Sequence, residues 1–581
     1  MTGQRAREWV PRPRDPESEQ RLADAGIDPL LARLYAGRGI TRPEQLERRA
    51  EALERPDDLL GMDAAVDVLA GALARGERIC IVGDFDCDGA TSTAVAVSAL
   101  RAMGGEVTYV VPDRFRFGYG LTPAIVAEAH EQLAPDVLVT VDNGISSGDG
   151  VTAAHERGLR VVVTDHHLAP AELPPADAIV NPNQPGCPFS GKASAGVGVV
   201  FYVMAALRAH LRNEGWFAAR DLDEPNLSDL LDLVAVGTVA DVVPLDRNNR
   251  VLVHQGVSRI QAGRMRPGIR ALVEVAGRDP GQLKASDLGF IVGPRLNAAG
   301  RLEDMSLGIR CLLAEDHESA KSLASELDGL NHQRRSLEAD MHDDAVEALA
   351  DDPELADRFG VCLYREDWHQ GVVGLVASRI KERLHRPVIA FAPGDGGTLK
   401  GSGRSVPGIH IRDVLDAVAT RTDGLLSRFG GHAMAAGLSL DPENLAAFQE
   451  AFDRAVRDLA APEALTPRLE TDGELAPDEL SLPKAELLAS GGPWGTGFPD
   501  PLFQGRFRVL RTQVVGANHL KLWLVPEGGD FEIEAIHFRG APEGEAPTLD
   551  TVDLAYRLEV NEFRGRRGVQ LVVEERRSSG D

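Results

Sequence analysis

The stretch Ile79-Cys-Ile-Val-Gly-Asp-Phe-Asp-Cys-Asp-Gly-Ala-Thr-Ser92 joins a short apolar run to three alternating aspartates and then to a helix-forming segment. The run 79–82 is largely β-branched, which is typical of a strand buried on both faces of a parallel sheet. Carboxylates that follow such a strand lie at its carboxyl end, where open α/β sheets bind their ligands. Three carboxylates in five residues repel one another unless a cation neutralises them. The stretch therefore predicts an α/β fold that carries a metal site.

Three further segments place metal-binding groups directly after apolar runs. They read Val141-Asp-Asn-Gly144, Thr164-Asp-His-His167 and Val239-Ala-Asp-Val-Val-Pro244. Two adjacent imidazoles after a strand rarely serve packing, and an unpaired carboxylate in the apolar third segment would be costly. Together the four segments hold six acidic groups and two histidines, a set that favours hard divalent cations bound mainly by oxygen. The first hypothesis is a two-metal hydrolase.

Each segment also has an ordinary structural interpretation. The pattern D-x-D-x-D-G resembles the start of a calcium loop, but Val95 stands at the twelfth position, where such a loop has a bidentate Glu. An aspartate ahead of a helix can be an N-cap, which applies to the first segment and to Asp165. Asn143-Gly144 is also a common turn.

Length and composition set broad limits. A chain of 581 residues predicts two to four domains. No run approaches the roughly 18 apolar residues of a membrane span, and the first nine residues lack the apolar core of a signal peptide. Five scattered cysteines without a C-x-x-C pair favour a reducing compartment, so we expect a cytoplasmic protein. The net charge of −27 does not exclude a nucleic-acid partner, because net charge does not describe the charge of a local groove.

The pattern of strands and helices predicts the organisation of the chain. Residues 1–75 and 193–276 are mostly helical in pattern, and 316–350 could form one long helix. Five buried-type strands with crossover helices between them predict a parallel sheet. The strands are predicted at 79–82, 107–111, 137–141, 160–164 and 178–180, and the helices at 91–103, 122–132 and 149–157.

Two smaller units are predicted after the long helix. The first, at about 358–460, is α/β, with strands at 361–364 and 388–391 around a helix at 370–384. From about 465 the residues alternate in period two, which predicts a small closed β barrel. The strands of this barrel are predicted around 507–511, 520–524, 531–538 and 569–574.

Together these segments resemble the DHH phosphoesterase superfamily, named for the triplet Asp165-His166-His167, and within it the bacterial exonucleases specific for single-stranded DNA. The likeness extends over nearly the whole chain. Five other segments carry it: Pro112-Asp-Arg-Phe-Arg-Phe-Gly-Tyr-Gly-Leu121, Gly293-Pro-Arg-Leu-Asn-Ala-Ala-Gly-Arg-Leu302, Trp368-His-Gln-Gly-Val-Val-Gly-Leu-Val-Ala-Ser-Arg379, Gly401-Ser-Gly-Arg-Ser405 and Gly430-Gly-His-Ala-Met-Ala-Ala-Gly437. One departure is Val82, where many relatives have a metal-binding His; it leaves Asp84 as the candidate for that role.

The resemblance implies a division into five parts. It expects a parallel-sheet DHH catalytic domain, a long connecting helix, a smaller α/β domain of DHHA1 type that binds substrate, and a C-terminal OB-like β barrel. These parts correspond to 76–310, 311–357, 358–462 and 463–581, after an N-terminal helical segment at 1–75.

The resemblance also assigns roles to residues. Asp142 would bridge two metal ions and His167 would face the scissile phosphate, so these are the expected catalytic residues. Oxygen-rich ligation with one imidazole favours Mn²⁺ or Mg²⁺ over zinc. The expected metal ligands are Asp84, Asp86, Asp88, Asp142, His166 and Asp241. The expected substrate-binding residues are Arg114, Arg116, Tyr119, Arg295, Asn297, Arg301, Ser402, Arg404, Ser405, Gly430, Gly431 and His432.

The implied activity is a 5′→3′ exonuclease that releases 5′-mononucleotides from single-stranded DNA in recombination and repair. The expected protein is a monomer without a membrane association, with single-strand-binding protein and a helicase as partners. Basic and aromatic residues of the last segment fit a strand-binding groove: Lys521, Trp523, Phe563, Arg564, Arg566 and Arg567. Two alternatives remain open: a DHH phosphodiesterase of short oligoribonucleotides or cyclic dinucleotides, and a non-enzymatic scaffold. The barrel disfavours the first, and the intact acidic and histidine set disfavours the second.

Overall fold

The computed structural model describes residues 7–112, 120–422, 424–426, 428–541, 544–563 and 565–578. The chain divides into two compact units. The larger unit comprises Pro11–Asp328 and Thr471–Asp581, and the smaller unit comprises Gly329–Glu470 with the segment that ends at Val10. Within the described ranges, every helix is too short or too polar to cross a membrane.

The described part of the N-terminal segment combines the predicted helices with a strand that the sequence pattern did not predict. It contains β1 (Glu8–Pro11), α1 (Pro16–Asp24), α2 (Pro29–Ala36), three short 3₁₀ turns and α3 (Met62–Arg75). Strand β1 forms a two-stranded sheet with Arg468–Thr471. Because that partner is far away in the sequence, local periodicity could not reveal the strand.

The five-stranded parallel sheet of the larger unit confirms the predicted fold class. It consists of β2 (Arg78–Val82), β3 (Glu106–Val110), β4 (Val137–Val141), β5 (Arg160–Thr164) and β6 (Ala178–Val180), with crossover helices α4 (Cys87–Ala102), α5 (Pro123–Leu133) and α6 (Gly148–His155). The spatial order is β3-β2-β4-β5-β6. The chain leaves β2 to one side and returns on the other, so the order reverses between β2 and β4. At such a point the connections that leave the two neighbouring strands run to opposite faces of the sheet and leave a crevice for ligands.

A helical layer follows the sheet. It consists of α7 (Gly196–Asn213), α8 (Trp216–Arg220), α9 (Leu231–Ala240), α10 (Arg247–Gln261), α11 (Pro267–Val275), α12 (Ala285–Asp287), α13 (Gly293–Leu302) and α14 (Ser306–Leu313). A π-helical turn, Leu288–Val292, joins α12 to α13, so that 285–302 is almost one continuous helix. The predicted long helix is α15 (His317–Asp351), and a short α16 (Pro353–Asp357) follows it.

The smaller unit is built on a second, mixed sheet. Its elements are β7 (Val361–Tyr364), α17 (Val373–Leu384), β8 (Val388–Pro393), β9 (Leu399–Arg404), α18 (Ile411–Arg421), β10 (Arg428–Gly431), β11 (Ala435–Leu440) and α19 (Leu445–Leu459). The order is β10-β11-β9-β8-β7, and only β7 and β8 are parallel. Sequence reasoning missed β9, β10 and β11 because each contains glycine, which is depleted in strands. A Cβ on Gly403 of β9 would be 2.6 Å from Ile411 Cδ1, so the glycine leaves room for that side chain.

The C-terminal segment confirms the predicted barrel. After β12 (Arg468–Thr471) and α20 (Leu482–Gly491), it contains β13 (Phe503–Val515), β14 (His519–Pro526), β15 (Ile533–His537), β16 (Thr551–Phe563) and β17 (Arg566–Ser578). These last five strands close in the order β13-β14-β15-β17-β16. Strand β16 was not among the predicted strands. The apolar core of the barrel is continuous with Leu22, Leu34 and Tyr35 of the N-terminal helices, so the barrel is part of the larger unit.

Candidate metal centre

The three alternating aspartates lie in the loop between β2 and α4. The Asp84 carboxylate is buried and accepts a hydrogen bond from Phe85 N at 2.6 Å. Asp86 is the N-cap of α4 and accepts from Gly89 N at 3.0 Å. Asp86 therefore caps a helix and also belongs to the acidic loop, because the hydrogen bond that caps α4 fixes the conformation of the loop. Helix α4 begins at Cys87, earlier than the predicted 91, for this reason.

The N-terminus of α7 fixes the position of Asp88. The buried Asp88 carboxylate accepts hydrogen bonds from Gly196 N at 2.6 Å and Val197 N at 3.0 Å. Helix N-termini carry unpaired N–H groups and a partial positive charge, which stabilise a carboxylate. A Cβ on Gly196 would lie 2.6 Å from Asp142 Oδ1, so glycine lets the helix approach both acids. Sequence reasoning missed Gly196; its signal was a glycine at the start of a long apolar helix.

Asp142 follows β4 in an unusual backbone conformation. Its φ of 64° is in the left-handed region, which Asn and Asp tolerate better than other side chains. Next to it, Asn143 Nδ2 donates to Val82 O at 3.1 Å and Val141 O at 2.9 Å. These bonds hold the carboxyl ends of β2 and β4 together. The Val82 side chain is fully buried and, as a hydrocarbon, offers no atom that could bind a metal.

His166 brings acids from three other segments together. Its Nε2 lies 3.1 Å from Asp142 Oδ1, 3.6 Å from Asp241 Oδ2 and 4.0 Å from Asp88 Oδ2. Two sets of side chains have the spacing of a metal site: Asp88 with His166 and Asp241, and Asp142 with His166 and His167. Four residues that are far apart in the sequence thus form one cluster at the edge where the strand order reverses.

Asp241 is the C-cap of α9 and is held at the cluster by close packing. Among the residues that the structure describes, its Oδ2 is a buried oxygen without a hydrogen-bond partner. A Cβ on Gly237, one turn earlier, would lie 2.8 Å from Asp88 Oδ1. Val242, directly after Asp241, has a φ of 64°, an outlier for a β-branched residue. Such strain is tolerated where the surrounding structure demands it, commonly at functional sites.

The cluster carries more negative charge than an interior tolerates. Burial, and then the charge of Asp86, raise the pKa of Asp84 to about 8 and that of Asp88 to about 7. Burial and the charge of Asp88 raise the pKa values of Asp142 and Asp241 well above their usual range. A bound cation would favour the ionised carboxylates and reverse these shifts. The donor set therefore fits an oxygen-seeking divalent metal.

Asp165 orients the histidine pair instead of joining the cluster. Its Oδ1 accepts from His167 Nδ1 at 2.7 Å and from the backbone N–H groups of His166 and His167. Its Oδ2 accepts from Ile145 N at 2.9 Å. Burial lowers the pKa of His167, but the hydrogen bond and charge of Asp165 raise it more, to about 9. The raised pKa favours the protonated ring of His167, and the hydrogen bond with Asp165 fixes the orientation of that ring.

Two asparagines that sequence reasoning missed also hold His166 and His167 in place. Asn181 Nδ2 donates to His167 O at 2.9 Å, and Asn183 Nδ2 donates to His166 O at 2.5 Å. Asn181 follows β6 directly and Asn183 is two residues later, so the signal was again a polar side chain at the carboxyl end of a strand.

Three predicted substrate-binding residues lie on α13. Buried Arg295 donates from Nη1 to Ile291 O at 2.7 Å and forms an ion pair with Asp328 at 2.8 Å. Those contacts tie α13 to the π turn and to α15. Arg301, near the end of α13, is half-buried.

Asn297 supports the aspartate loop from α13. Its Oδ1 accepts from Cys87 N at 2.7 Å. Helix α13 also comes close to the loop at Gly300, where a Cβ would overlap the Phe85 carbonyl oxygen. Asn297 and Gly300 together make α13 a brace for the loop that carries Asp84, Asp86 and Asp88.

The smaller unit holds a second group of predicted residues. Arg404 Nη1 donates to Ser402 Oγ at 3.0 Å on β9. The first turn of α17 lies against both, since a Cβ on Gly374 would be 2.7 Å from Arg404 Nη2 and 2.9 Å from Ser402 Oγ. A helix N-terminus beside a guanidinium and a hydroxyl suits a phosphate. Ser405 differs: its buried hydroxyl donates to Ile409 O at 2.6 Å and shapes the loop after β9.

The glycine pair of this group lies on the neighbouring strands. Gly430 of β10 pairs with Gly437 of β11, which pairs with Ser402 of β9. These three paired positions lack bulky side chains, so a ligand could approach the backbone there closely. Gly431 has a φ of 146°, and His432 N donates to Ala435 O at 2.8 Å in the turn.

The remaining predicted residues lie in two other places. Arg114, Arg116 and Tyr119 lie outside the described residues, as does Arg564, so their roles stay predictions. On the barrel, the Arg511 guanidinium lies 3.6 Å from the centre of the Trp523 ring.

Acidic neighbours pair with two of the predicted barrel cations. Lys521 forms an ion pair with Glu534 at 2.9 Å, and Arg567 forms one with Glu486 at 3.0 Å. A phosphate backbone on this surface would compete with those carboxylates.

Comparisons with known proteins agree with this architecture. Three family models match: "DHH family, N-terminal domain" at 78–238, "DHHA1 domain" at 338–458 and "RecJ OB domain" at 471–575. The single-stranded-DNA-specific exonuclease RecJ of Dickeya dadantii is 54% identical over 97% of this chain and 98% of that protein. RecJ of Escherichia coli is 50% identical over 95% and 96%.

Solved structures show the same relationship. The crystal structure of RecJ in complex with Mn²⁺ from Thermus thermophilus superposes with a TM-score of 0.80 at 30% identity, over 99% of this chain and 80% of that one. Likeness over nearly the full length, at identities of 50% and above, does not arise from a shared fold alone. The chain belongs to the RecJ family of DHH proteins.

Proposed function

We propose that this protein is a metal-dependent exonuclease that hydrolyses single-stranded DNA in the 5′→3′ direction and releases 5′-mononucleotides. The observation that carries the proposal is the convergence of Asp88, Asp142, His166 and Asp241 where the strand order reverses. The 54% identity to a single-stranded-DNA-specific exonuclease supports the substrate. The direction and the product follow from the family resemblance.

Two Mn²⁺ or Mg²⁺ ions are the proposed cofactors. The proposed ligands are Asp84, Asp86, Asp88, Asp142, His166 and Asp241. The buried, unbonded Oδ2 of Asp241 and the raised pKa values of the carboxylates support a cation at this place. When bound, such ions provide a nucleophile at neutral pH and stabilise the charge of an in-line phosphoryl displacement. We propose that Asp84 takes the role of the histidine that Val82 replaces.

The other residues position the substrate in this proposal. The raised pKa favours the protonated ring of His167, whose Nε2 would donate a hydrogen bond to a phosphate oxygen while Nδ1 stays bonded to Asp165. The hydrogen bond to Nδ1 fixes the ring, so the orientation does not have to be set at each turnover. Ser402 and Arg404, with the first turn of α17, would bind a backbone phosphate of the strand.

The barrel and the cellular setting complete the proposal. The barrel would guide the incoming strand, with Trp523 and its cationic neighbours as the stacking surface. Single-strand-binding protein and a helicase are the proposed partners, and recombination and DNA repair the proposed processes. We place the enzyme in the cytoplasm, which suits five free, buried cysteines.

A labelled single strand tests the proposal and separates it from the dinucleotide alternative. With Mn²⁺, a 5′-labelled strand of about 30 nucleotides should release labelled mononucleotide from the first cleavage onwards, whereas a 3′-labelled strand should give a descending ladder. A blunt duplex should be cut about a hundredfold more slowly, since pairing and stacking withhold the end, and EDTA should abolish activity. Faster cleavage of a dinucleotide than of the long strand would favour the short-substrate phosphodiesterase instead.

A further inference from the structure

Three exposed apolar side chains lie on segments that flank the metal centre. Among the large apolar side chains that the structure describes, the three most exposed are Phe290 at 77%, Leu168 at 65% and Val242 at 64%. Single exposed apolar residues are normal on any surface. These three are different because each directly follows, or packs against, a segment that carries a proposed metal ligand.

Leu168 and Val242 are fixed near the cluster by the chain itself. Val242 directly follows Asp241, and Leu168 is two residues after His166, so their Cα atoms lie within about 4 and 8 Å of those ligands. His166 Nε2 is 3.6 Å from Asp241 Oδ2, which brings the two segments together. The strained φ of 64° at Val242 keeps a β-branched, exposed residue where glycine would be favoured on conformational grounds.

Phe290 is presented by the π turn between α12 and α13. The turn packs against α9 just ahead of Asp241: a Cβ on Gly289 would be 3.2 Å from Val239 Cγ1, and one on Gly293 would be 3.1 Å from Ala240 Cβ. The neighbours of Phe290 in the turn, Ile291 and Val292, are buried and provide its packing. Phe290 therefore contributes little to the core, and π turns inside helices are frequent at functional sites.

We propose that Phe290, Leu168 and Val242 form an apolar rim that binds the faces of the nucleobases next to the scissile phosphate. The inference rests on the proposed function, which places that phosphate at the metal centre. A base is joined to its phosphate through a single sugar, so the bases must lie beside the cluster. Aromatic and aliphatic side chains bind base faces without regard to sequence.

The rim also gives the strand preference a physical origin. In a duplex the base faces are covered by stacking, and exposing one costs a few kcal/mol. In an unpaired strand a base face is exposed at a lower cost. The rim residues lie on segments that adjoin the charged carboxylates, so a protein partner that covered them would close the site. A nucleobase can occupy the rim while its phosphate meets the metals.

Strands that lack bases test the rim directly. The substrates are a normal single strand and one whose first three nucleosides are abasic, and the variants are Phe290→Ala and Phe290→Trp. The control is Leu60→Ala, which removes a side chain that is 44% exposed ahead of α3 in the same unit. For the wild type and the control, removing the bases should raise KM about tenfold, the range expected for lost stacking.

The variants should respond differently. Phe290→Ala should raise KM about tenfold on the normal strand, leave kcat nearly unchanged, and show little further rise on the abasic strand. Phe290→Trp should restore the dependence on the bases. If Phe290→Ala keeps the full abasic penalty, the rim assignment is wrong. Leu168→Ala provides the same comparison should Phe290→Ala fail to fold.

A binding measurement separates this inference from the proposed function. Affinities for both strands are measured by fluorescence anisotropy with Ca²⁺, independently of hydrolysis. Base-dependent binding that Phe290→Ala removes would support the rim even if no strand were cut, and the nuclease proposal alone would then fail. Binding that ignores the bases in the wild type would overturn the rim even if hydrolysis were normal.

Discussion

Asp142→Asn should reduce kcat on single-stranded DNA roughly a thousandfold or more, because several kcal/mol of charge stabilisation depend on the metal ions. Asparagine is the right substitution, since it tolerates the left-handed backbone at this position (φ 64°) as aspartate does. The affinity for the strand should stay within a few-fold of the wild type. Release of labelled nucleotide with Mn²⁺ and fluorescence anisotropy measure the two quantities.

Asp149→Asn is the matched control. It makes the same change in charge at an exposed position in the first turn of α6, outside the cluster. Its activity should equal that of the wild type within about twofold, because exposed charges contribute little. Full activity of Asp142→Asn would remove the proposed metal bridge.

The effect of Asp142→Asn on the melting temperature should have opposite signs without and with metal. Burial and the charge of Asp88 raise the pKa of Asp142 in the folded chain. Its contribution to stability is therefore intact below the unfolded pKa of about 4 and is lost as the pH rises above it. In EDTA at about pH 8, Asp142→Asn should raise Tm; with Mn²⁺ the order should reverse, because the metal stabilises the folded wild type more. A lower Tm in EDTA would contradict the repulsion described for the cluster.

Gly300→Ala should destabilise the larger unit by about 3 kcal/mol and weaken metal binding, because close-packed interiors do not absorb an added methyl group. The new Cβ would overlap the Phe85 carbonyl oxygen. Relief requires α13 or the aspartate loop to move: the first strains the hydrogen bond between Cys87 N and Asn297, and the second displaces Asp84, Asp86 and Asp88. Urea unfolding and Mn²⁺ titration by calorimetry measure the two effects.

Gly329→Ala makes the same chemical change with the opposite expectation. Gly329 lies on an exposed face of α15, and within the described part of the chain no neighbouring atom lies within 4 Å of the place that an added methyl group would take. Alanine should therefore add up to about 1 kcal/mol through helix propensity. A Gly300→Ala protein as stable as the wild type, with normal Mn²⁺ affinity, would contradict the bracing role of α13.

The sequence predicted that Asp142 and His166 lie at one edge because both follow strands whose local pattern is strong, whereas Asp241 follows helix α9. Asp142 and His166 each follow a buried β-branched run, and the parallel arrangement brings the carboxyl ends to one edge. The order of the strands was not predictable from pattern. The reversal between β2 and β4 depends on long-range packing, which also decides that Asp142 and His166 meet.

Residues that hold the cluster in place were missed because they carry no chemistry of their own. Gly196 and Gly237 act through the absence of a side chain, which is visible only once α7 and α9 are packed. Asn181 acts through a hydrogen bond that its side-chain amide donates to a backbone carbonyl. Such supporting contacts depend on tertiary structure, whereas aspartate and histidine can be recognised as candidate metal ligands from the sequence alone.

Some predicted substrate residues have structural contacts that the sequence could not reveal. Arg295 is committed to Asp328 and to the Ile291 carbonyl, and the Ser405 hydroxyl to Ile409. Arginine and serine in a motif indicate hydrogen-bond donors, but the sequence does not show whether the acceptor is a substrate or the protein itself. The group around Arg404 and Ser402 keeps the geometry of a phosphate site, and its role stays a prediction.

Diffraction from crystals soaked in manganese, recorded at the manganese absorption edge, tests the shared metal centre most directly. We expect two anomalous peaks among the carboxylates of Asp88, Asp142 and Asp241 and the imidazole of His166, and the loss of at least one peak in Asp142→Asn. Wild-type crystals that show no anomalous peak among these side chains would contradict the proposed metal centre.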